Sequence, residues 1–174
     1  MAQKNGFYIG KLPESPLGEL WVAVSGRGLA AVGWAGKETE FAAYLLKRFR
    51  QPCSEDAGRV SHVTRQLGEY LGGARRAFEL EIDWALLRPF QRQVLQITYA
   101  IPFGQTRTYG DIARELGNPN AARAVGRAQA TNPMPLVIPC HRVIGTDGKL
   151  HGYGGGQGLP TKAWLLQLEG AVLT

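Results

Sequence analysis

The sequence predicts an α+β protein: a small N-terminal α/β domain with an antiparallel sheet, then a mostly helical C-terminal domain with a helix-turn-helix and an active-site loop. Short β-type runs separated by turn signals fill the beginning of the chain. Apolar residues at helical spacing follow, and most of the net positive charge lies in the second half. We place the boundary near Trp84–Pro89 and expect domains of residues 1–87 and 88–174.

Charge is the first pointer to a partner. Residues 88–174 hold nine Lys and Arg against four Asp and Glu, whereas residues 1–87 hold eleven against ten. A basic half of this kind indicates contact with an anion, for which nucleic acid is the commonest candidate. The alternative from charge alone is a soluble surface that happens to be basic.

Composition excludes several classes of protein. No apolar run reaches the roughly 18 residues that a membrane span requires, and the segment MAQKNGFYIG lacks the apolar core of a secretory signal. Two cysteines, Cys53 and Cys140, give no disulfide framework of the secreted kind. We therefore expect a cytoplasmic protein, or a nuclear one in a eukaryote, with no membrane partner. His62 has no metal-ligand neighbour at a useful spacing.

The N-terminal half is expected to be a scaffold. The runs FYIGKL, ELWVAVS and GLAAVGW predict an antiparallel meander because the turn signals SPLG and GRG separate them. Helices are predicted over ETEFAAYLLKRF, with Phe41, Leu45 and Phe49 on one face, and over VSHVTRQLGEYL. FELEID alternates apolar and acidic residues and predicts a half-exposed strand. Cys53, in the polar stretch QPCSEDAG, carries no evident chemistry.

The C-terminal half begins with a predicted helix over RPFQRQVLQITYAIP, in which Phe90, Val94 and Ile97 share a face. A helix-turn-helix follows. Thr108 is a candidate N-cap with Asp111 at the third helical position, a variant of the capping box, and Gly117 ends the first helix. Asn118 and Pro119 open the second helix.

The second helix has a buried face and an unusual outer face. Ala121, Ala124, Val125 and Ala128 are expected to be buried. The outer face presents Arg123 and Arg127 beside the small residues Gly126 and Ala130. Sequence-reading helices usually offer longer polar side chains to base edges. Small residues with two arginines favour a minor-groove binder that tolerates any sequence. The alternative is an ordinary helical hairpin with a solvated basic face.

A candidate nucleophile lies in IPCHRV, where Pro139 precedes Cys140 and His141 follows it. A free thiol has a pKa of ~8.5, so a nucleophilic cysteine needs a nearby base. Neighbours on an extended strand point to opposite faces, which suggests that His141 acts through a water. The alternative is a structural cysteine beside a hydrogen-bonded histidine. The glycines around Tyr153 indicate a loop with exposed backbone N–H groups, without the frame of a dinucleotide fingerprint.

Several segments together resemble one family. Tyr109, AARAVG, Asn132-Pro133, IPCHRV, GY.GG and LL..EG look like the O6-alkylguanine-DNA alkyltransferases in order and nearly in spacing. The resemblance is strong from about Phe90 to Gly170 and weaker over the N-terminal half. It implies direct, irreversible, single-turnover transfer of an alkyl group from O6-alkylguanine, possible activity on O4-alkylthymine, and duplex DNA bound through its minor groove by a monomer. It implies no cofactor.

The resemblance also implies roles for individual residues. Cys140 would accept the alkyl group, with His141 as its base through a water. Glu169 would orient that histidine, and Asn132 would support the loop that carries the cysteine. In the expected pocket, Tyr109 would donate to guanine N3 and the Gly154 amide would meet O6. The carbonyls of Cys140 and Val143 would accept from the exocyclic amine. Tyr153 and Pro135 would form the walls. Arg123 would fill the space that the flipped base leaves in the duplex. The other expected DNA contacts are Thr108, Ala122, Gly126 and Arg127.

This chain departs from the family pattern in three places. The segment between Gly156 and Lys162 is two residues longer than usual, Gly154 replaces a frequent Ser or Ala, and His151 stands where Gly, Ser or Thr is common. We expect the His151 imidazole to crowd the alkyl pocket, so that methyl adducts react and benzyl adducts are resisted. The N-terminal cysteines that bind zinc in some relatives are absent, so no metal is expected.

Three other functions remain open from the sequence. The first is a lesion-binding protein of the alkyltransferase-like kind, which the presence of Cys140 opposes. The second is a Cys-His hydrolase, which would leave the arginine-bearing helix without a role. The third is a DNA-binding module with a redox-sensitive thiol. Loss of stoichiometric amounts of alkyl group from DNA distinguishes the alkyltransferase from all three.

Overall fold

The computed structural model describes residues 6–171, and the chain divides into two compact units between Leu86 and Leu87. The N-terminal unit is a four-stranded sheet with two helices. Its elements are β1 (Phe7–Leu12), β2 (Leu20–Ser25), β3 (Gly28–Gly33), α1 (Glu38–Phe49), β4 (Cys53–Glu55), α2 (Ala57–Leu71) and a 3-10 turn (Trp84–Leu86).

The predicted antiparallel meander is present, since β1 pairs with β2 and β2 with β3. The sheet order is β3-β2-β1-β4, and β4 adds a short parallel edge strand that the sequence analysis did not predict. Helix α1 has the predicted bounds, and its Phe41 and Leu45 are buried while Phe49 is partly buried. These side chains pack with Phe7 and Trp21 from the sheet into one apolar cluster.

The prediction of a strand over FELEID is wrong. Within the described residues this segment forms only an isolated bridge between Ile82 and Leu29. The side chain of Gln66 explains the difference, because its amide donates to the Glu79 carbonyl at 3.1 Å and accepts from the Glu79 N–H at 2.8 Å. A side chain on α2 therefore takes the backbone groups that a neighbouring strand would have used.

The C-terminal unit is mostly helical. Its elements are α3 (Pro89–Tyr99), β5 (Arg107–Thr108), α4 (Tyr109–Glu115), a 3-10 turn (Pro119–Ala121), α5 (Ala122–Ala130), a 3-10 turn (Cys140–Arg142), β6 (Val143–Ile144) and α6 (Leu159–Leu168). Strands β5 and β6 pair in parallel and join the start of α4 to the segment after Cys140. Val94, Ile112, Val125 and Val143 are fully buried in one cluster with residues from α3, α4, α5 and β6.

The helix-turn-helix forms with the predicted signals at its first helix. Thr108 accepts from the Asp111 N–H at 3.0 Å, and Asp111 accepts from the Thr108 N–H at 2.8 Å, which completes the capping box. Gly117 follows the helix with φ of +77°, a conformation that disfavours other residues. The second helix starts as the 3-10 turn, and Asn118 occupies its cap position without a side-chain cap hydrogen bond.

Two predicted apolar faces need correction. On α3, Phe90 is 40% exposed, because it lies in the first turn, and the buried residues are Val94, Leu95 and Thr98. On α5, Ala124 is only partly buried, whereas the polar Gln129 is buried. Gln129 donates to the Thr98 hydroxyl at 2.6 Å, so a hydrogen bond between α3 and α5 offsets the cost of burying its amide nitrogen. Across residues 6–171 no helix has the length and apolar character needed to span a membrane.

Candidate active site

Cys140 lies at the start of a 3-10 turn between Pro139 and β6. The prediction that Cys140 and His141 lie on an extended strand is wrong. The Cys140 N–H donates to the Ile138 carbonyl at 2.8 Å and the Arg142 N–H to that of Pro139 at 2.9 Å. A 3-10 helix has three residues per turn, so successive side chains differ by about 120° rather than pointing to opposite faces. Cys140 is 7% exposed and His141 is fully buried.

Asn132 supports the loop that precedes the cysteine. Its side-chain nitrogen donates to the Ile138 carbonyl at 2.9 Å, and its side-chain oxygen accepts from the Met134 N–H at 2.9 Å. Both ends of the amide are thus used to hold the segment that leads into Cys140. The backbone of Leu136 in this segment has φ of +73°, an uncommon conformation for a branched residue.

A buried charged cluster lies directly after the thiol. His141 Nε2 is 2.9 Å from Glu169 Oε1, and Arg142 donates to the same carboxylate from Nε at 2.9 Å and from Nη2 at 2.8 Å. Arg142 also donates from Nη1 to the Ile101 carbonyl at 2.5 Å, and the Gly104 N–H reaches Glu169 Oε2 at 3.3 Å. The carboxylate therefore has a fixed position and holds the imidazole in one orientation.

Burial and charge act in opposite directions on these groups. Burial raises the pKa of the Cys140 thiol, while hydrogen bonding from Asn132 and the positive charge of Lys162 oppose that increase. Burial lowers the pKa of His141, which favours the neutral imidazole, although the Glu169 carboxylate opposes that decrease. A neutral imidazole can accept a proton, as a general base must.

Lys162 is a buried cation for which the sequence analysis gave no role. It is 1% exposed, and its Nζ donates to the carbonyls of Val143 at 2.7 Å, His151 at 3.1 Å and Gly152 at 3.3 Å. Burial lowers its pKa to about 8, and the nearby Cys140 works against that decrease. Lys162 therefore bonds to both ends of the segment 143–152. Its positive charge also acts to lower the pKa of the Cys140 thiol.

Tyr109 begins α4 and meets the same segment. Its hydroxyl donates to the His151 carbonyl at 2.8 Å, and Lys162 Nζ lies 3.4 Å from the hydroxyl oxygen. Burial, with a smaller contribution from Cys140, raises the pKa of Tyr109 to about 12, so the phenol keeps its proton and can donate it in a hydrogen bond.

A cleft of about 500 Å³ opens beside Tyr109. Its lining residues come from α4, α5 and the segment after β6; they are Tyr109, Gly110, Ala122, Arg123, Gly126, Gly145, Thr146, Asp147, His151 and Gly152. The structure thus brings five of the predicted site residues to one cleft. Cys140 is absent from this lining; it is buried three residues before Val143, whose carbonyl accepts from Lys162.

The remaining predicted site residues lie around this centre. Arg127 is exposed on α5, Pro135 is buried, and Tyr153 is partly buried. Gly154 is exposed, and a Cβ on it would lie 3.0 Å from the Ala130 carbonyl, so its backbone passes close to the end of α5. The Thr108 hydroxyl oxygen is used as the helix cap. The Val143 carbonyl accepts from Lys162.

His151 projects from the cleft wall toward Asp147. Its Nε2 lies 3.0 Å and 3.1 Å from the two Asp147 carboxylate oxygens, and both side chains are about half exposed. The pair closes over Gly145, where a Cβ would collide with the imidazole and the carboxylate. A side chain at position 145 would therefore displace the His151–Asp147 pair from this position.

Two residues of the site, Arg142 and Lys162, were missed by the reasoning from sequence. Helical spacing offered a signal for the lysine, because Lys162 shares a face of α6 with the buried Leu165 and Leu166, and Glu169, the residue after the helix, continues that face. Charged residues on a buried face require partners. For Arg142 the signal was its position in an otherwise apolar run, but nothing local identified Glu169 as the partner.

Two family models match nearly the whole chain. One, described as the ribonuclease-like domain of 6-O-methylguanine DNA methyltransferase, matches residues 6–84, and the other, its DNA binding domain, matches residues 89–171. A methylated-DNA–protein-cysteine methyltransferase of Methanosarcina acetivorans is 40% identical, over 91% of this chain and 96% of the relative. One of Salmonella typhimurium is 39% identical, over 91% and 94%.

The chain belongs to the methylated-DNA–protein-cysteine methyltransferase family. The resemblance and the enzyme class predicted from the sequence are thereby confirmed. A crystal structure of Mycobacterium tuberculosis O6-methylguanine methyltransferase has a TM-score of 0.76 at 37% identity, covering 95% of this chain and 92% of that one. The M. tuberculosis protein in complex with DNA gives 0.78 at 38% identity, covering 94% and 92%. These matches confirm the predicted α+β fold class.

Across residues 6–171 no group of three or more His, Cys, Asp or Glu side chains is arranged to hold a metal ion.

The Glu169 carboxylate provides a test of the buried cluster. We expect Glu169→Gln to raise the apparent pKa of the Cys140 thiol, because the imidazolium that forms when His141 takes the thiol proton would lose the carboxylate that stabilises it. The same change should lower the free energy of unfolding by about 3–5 kcal/mol, since Arg142 remains buried without its counter-charge. The pH dependence of iodoacetamide labelling measures the first effect and urea denaturation measures the second. Glu115→Gln, at an exposed carboxylate, is the control. An unchanged labelling profile would show that Glu169 serves only folding.

Proposed function

We propose that this methyltransferase repairs O6-alkylguanine in duplex DNA by transferring the alkyl group irreversibly to Cys140. The observation that carries the proposal is the buried thiol itself, set among Asn132, the His141–Glu169 pair and Lys162. A structural cysteine needs no such surroundings. The relatives' names give the reaction class, and the Mycobacterium tuberculosis structure in complex with DNA supports a duplex partner.

The reaction that we propose is a displacement at a saturated carbon. The sulfur forms a bond to the alkyl carbon as the bond from that carbon to O6 breaks, and the bonding electron pair passes to the guanine. His141 takes the thiol proton through a water and gives it up again as the guanine ring gains one through solvent, so the net change moves one proton from sulfur to guanine and the products are a thioether and unmodified guanine. A thioether is not readily cleaved by water, so each molecule acts once, as a suicide enzyme.

Tyr109 is proposed to stabilise the departing guanine by donating to ring N3, where negative charge develops. Its raised pKa supports this role because the phenol remains protonated. The hydroxyl donates to the His151 carbonyl in the structure, so substrate must replace that acceptor. The Gly154 amide is proposed to meet O6, with carbonyls of Cys140 and Val143 receiving the exocyclic amine. The Val143 carbonyl keeps a second lone pair beside its bond to Lys162.

The alkylated base is proposed to leave the duplex and enter the cleft. An alkyl group on O6 is out of reach while the base is stacked, so extrusion is required. The cleft volume of about 500 Å³ falls within the ~300–1,000 Å³ usual for small-molecule sites. We propose that α5 lies in the minor groove, with Ala122 and Gly126 allowing close approach and Arg123 filling the gap left by the base. Arg127 and Thr108 are proposed to contact the backbone.

The remaining organisation is proposed on the same basis. The C-terminal unit carries DNA binding and alkyl transfer, and the N-terminal unit is a scaffold. The protein acts as a monomer in the cytoplasm, or in the nucleus of a eukaryote, without a cofactor. Pro135 and Tyr153 are proposed as walls of the alkyl pocket.

Cys140→Ser tests the acceptor directly. Mass spectrometry of the wild-type protein after incubation with methylated duplex DNA should show one added methyl group on the peptide containing Cys140 and none on that containing Cys53. The Ser variant should gain none and still bind DNA, because binding depends on other residues. Cys53→Ser is the matched control and should react normally. Binding without transfer in the wild type would instead favour a lesion sensor.

Arg123→Ala tests the proposed role in base extrusion. We expect repair of duplex DNA to slow by one to two orders of magnitude, whereas reaction with the free alkylguanine base changes little, because unstacking costs a few kcal/mol only in the duplex. Arg127→Ala, one turn further along the same exposed face, should weaken DNA binding without changing the reaction of bound substrate. Single-turnover rates on both substrates measure the effect. Equal losses on duplex and free base would assign Arg123 to folding or chemistry.

His151 is proposed to select against bulky adducts. Its ring lines the cleft and is held by Asp147, and crowding by an inserted group typically costs ~1–3 kcal/mol. We expect His151→Gly to increase the inactivation rate with O6-benzylguanine and to leave the rate with O6-methylguanine nearly unchanged. Lys149→Gly, in the same segment and exposed, controls for added backbone freedom. If the benzyl rate does not rise, the imidazole lies outside the alkyl pocket.

A further inference from the structure

Helix α3 touches the end of α5 through a side chain that the proposed reaction does not use. Gln91 Nε2 donates to the Thr131 hydroxyl at 2.9 Å, to the Thr131 carbonyl at 3.1 Å and to the Ala128 carbonyl at 3.2 Å. The last carbonyls of a helix have no partner within the helix. The Gln91 amide, from a neighbouring helix, thus donates to two backbone carbonyls and one hydroxyl where α5 ends. Gln91 is itself only partly buried.

Thr131 is held from both sides. Its hydroxyl accepts from Gln91 and donates to the Arg127 carbonyl at 2.9 Å, and its N–H donates to the same carbonyl at 3.1 Å. The next residue, Asn132, uses its N–H to bond the Gln129 carbonyl at 3.1 Å. The direction in which the chain leaves α5 is therefore set by hydrogen bonds that meet at Thr131.

That direction determines where the Asn132 amide lies. Asn132 carries the loop into Cys140 through the Ile138 carbonyl and the Met134 N–H. Hydrogen bonding from Asn132 also opposes the increase that burial causes in the pKa of the thiol. A change of direction at Thr131 would move this amide relative to the sulfur while leaving the thiol, His141 and Glu169 chemically intact.

We propose that Gln91 is a positioning residue for the Cys140 thiol, acting through Thr131 and Asn132, and that it couples the placement of the arginine-bearing helix α5 to the reactivity of the sulfur. Gln91, Thr131 and Asn132 together connect the end of α5 to the loop that leads into Cys140. This coupling deepens the proposed function, since it rests on Cys140 being the alkyl acceptor.

Gln91→Met keeps the length of the side chain and removes its donors, and the rate and pH profile of thiol labelling then distinguish positioning from mere capping of α5. We expect iodoacetamide labelling of Cys140 and methyl transfer at pH 7 to slow about threefold to tenfold, the range that loss of one hydrogen bond produces in an equilibrium. The labelling profile should move to higher pH, because the thiol loses part of the support from Asn132. Gln96→Met, at an exposed position of the same helix, should match the wild type.

Thr131 supplies a second pair of variants and keeps the test decisive if Gln91→Met folds poorly. Thr131→Val should reproduce the slow labelling, and Thr131→Ser should behave as wild type because it keeps the hydroxyl. The double variant Gln91→Met with Thr131→Val should be no slower than either alone, as expected for one shared interaction. An unchanged labelling profile in Gln91→Met and Thr131→Val, with only a lower free energy of unfolding, would overturn the proposal. Labelling needs no DNA, so failure of the proposed alkyl transfer would be recognised separately.

Discussion

The carboxylate of Glu169 joins parts of the C-terminal unit that are distant in sequence. It accepts from His141, from Arg142 and from the backbone of Gly104, which lie 28, 27 and 65 residues away. Removing one member of a buried ion pair typically costs ~3–5 kcal/mol, because the other charge stays buried. The end of α6, the turn that carries Cys140 and the segment after α3 are therefore held together by one ionised group. The orientation of the imidazole beside the thiol follows from that constraint.

The geometry around Cys140 has a cost for reactivity. The sulfur is nearly inaccessible to solvent, and burial raises its pKa. The groups that counter this effect, Asn132 and Lys162, also hold the backbone that surrounds the site. The same two side chains therefore support the backbone of the site and oppose the effect of burial on the pKa of the thiol. On our proposal, a base that enters the cleft must also displace the Tyr109 hydroxyl from the His151 carbonyl. On the same proposal, the Tyr109 hydroxyl becomes available to the guanine only after that exchange.

Local signals in the sequence were reliable where the structure they specify is local. The three strands of the meander, the bounds of α1 and the capping box at Thr108 and Asp111 depend on residues a few positions apart. Interactions between segments distant in sequence could not be predicted from it. Gln66 takes the backbone groups of Glu79, which removes the strand expected there. The ion pair of Arg142 with Glu169, and the hydrogen bonds of Lys162 to the carbonyls of Val143, His151 and Gly152, form only in the folded chain. The family resemblance supplied the residues proposed to react but gave no information on these contacts.

The claim that Cys140 is a permanent acceptor is tested most directly by counting turnovers. A fixed amount of protein is mixed with a large excess of methylated duplex DNA, and the methyl groups lost from DNA are followed until the reaction stops. The account predicts a plateau at one methyl group per active molecule, which longer incubation or more DNA does not raise and which a fresh addition of protein extends by the same amount. Continued loss of methyl groups beyond that ratio would contradict it, because the thioether would then be an intermediate rather than the end of the reaction.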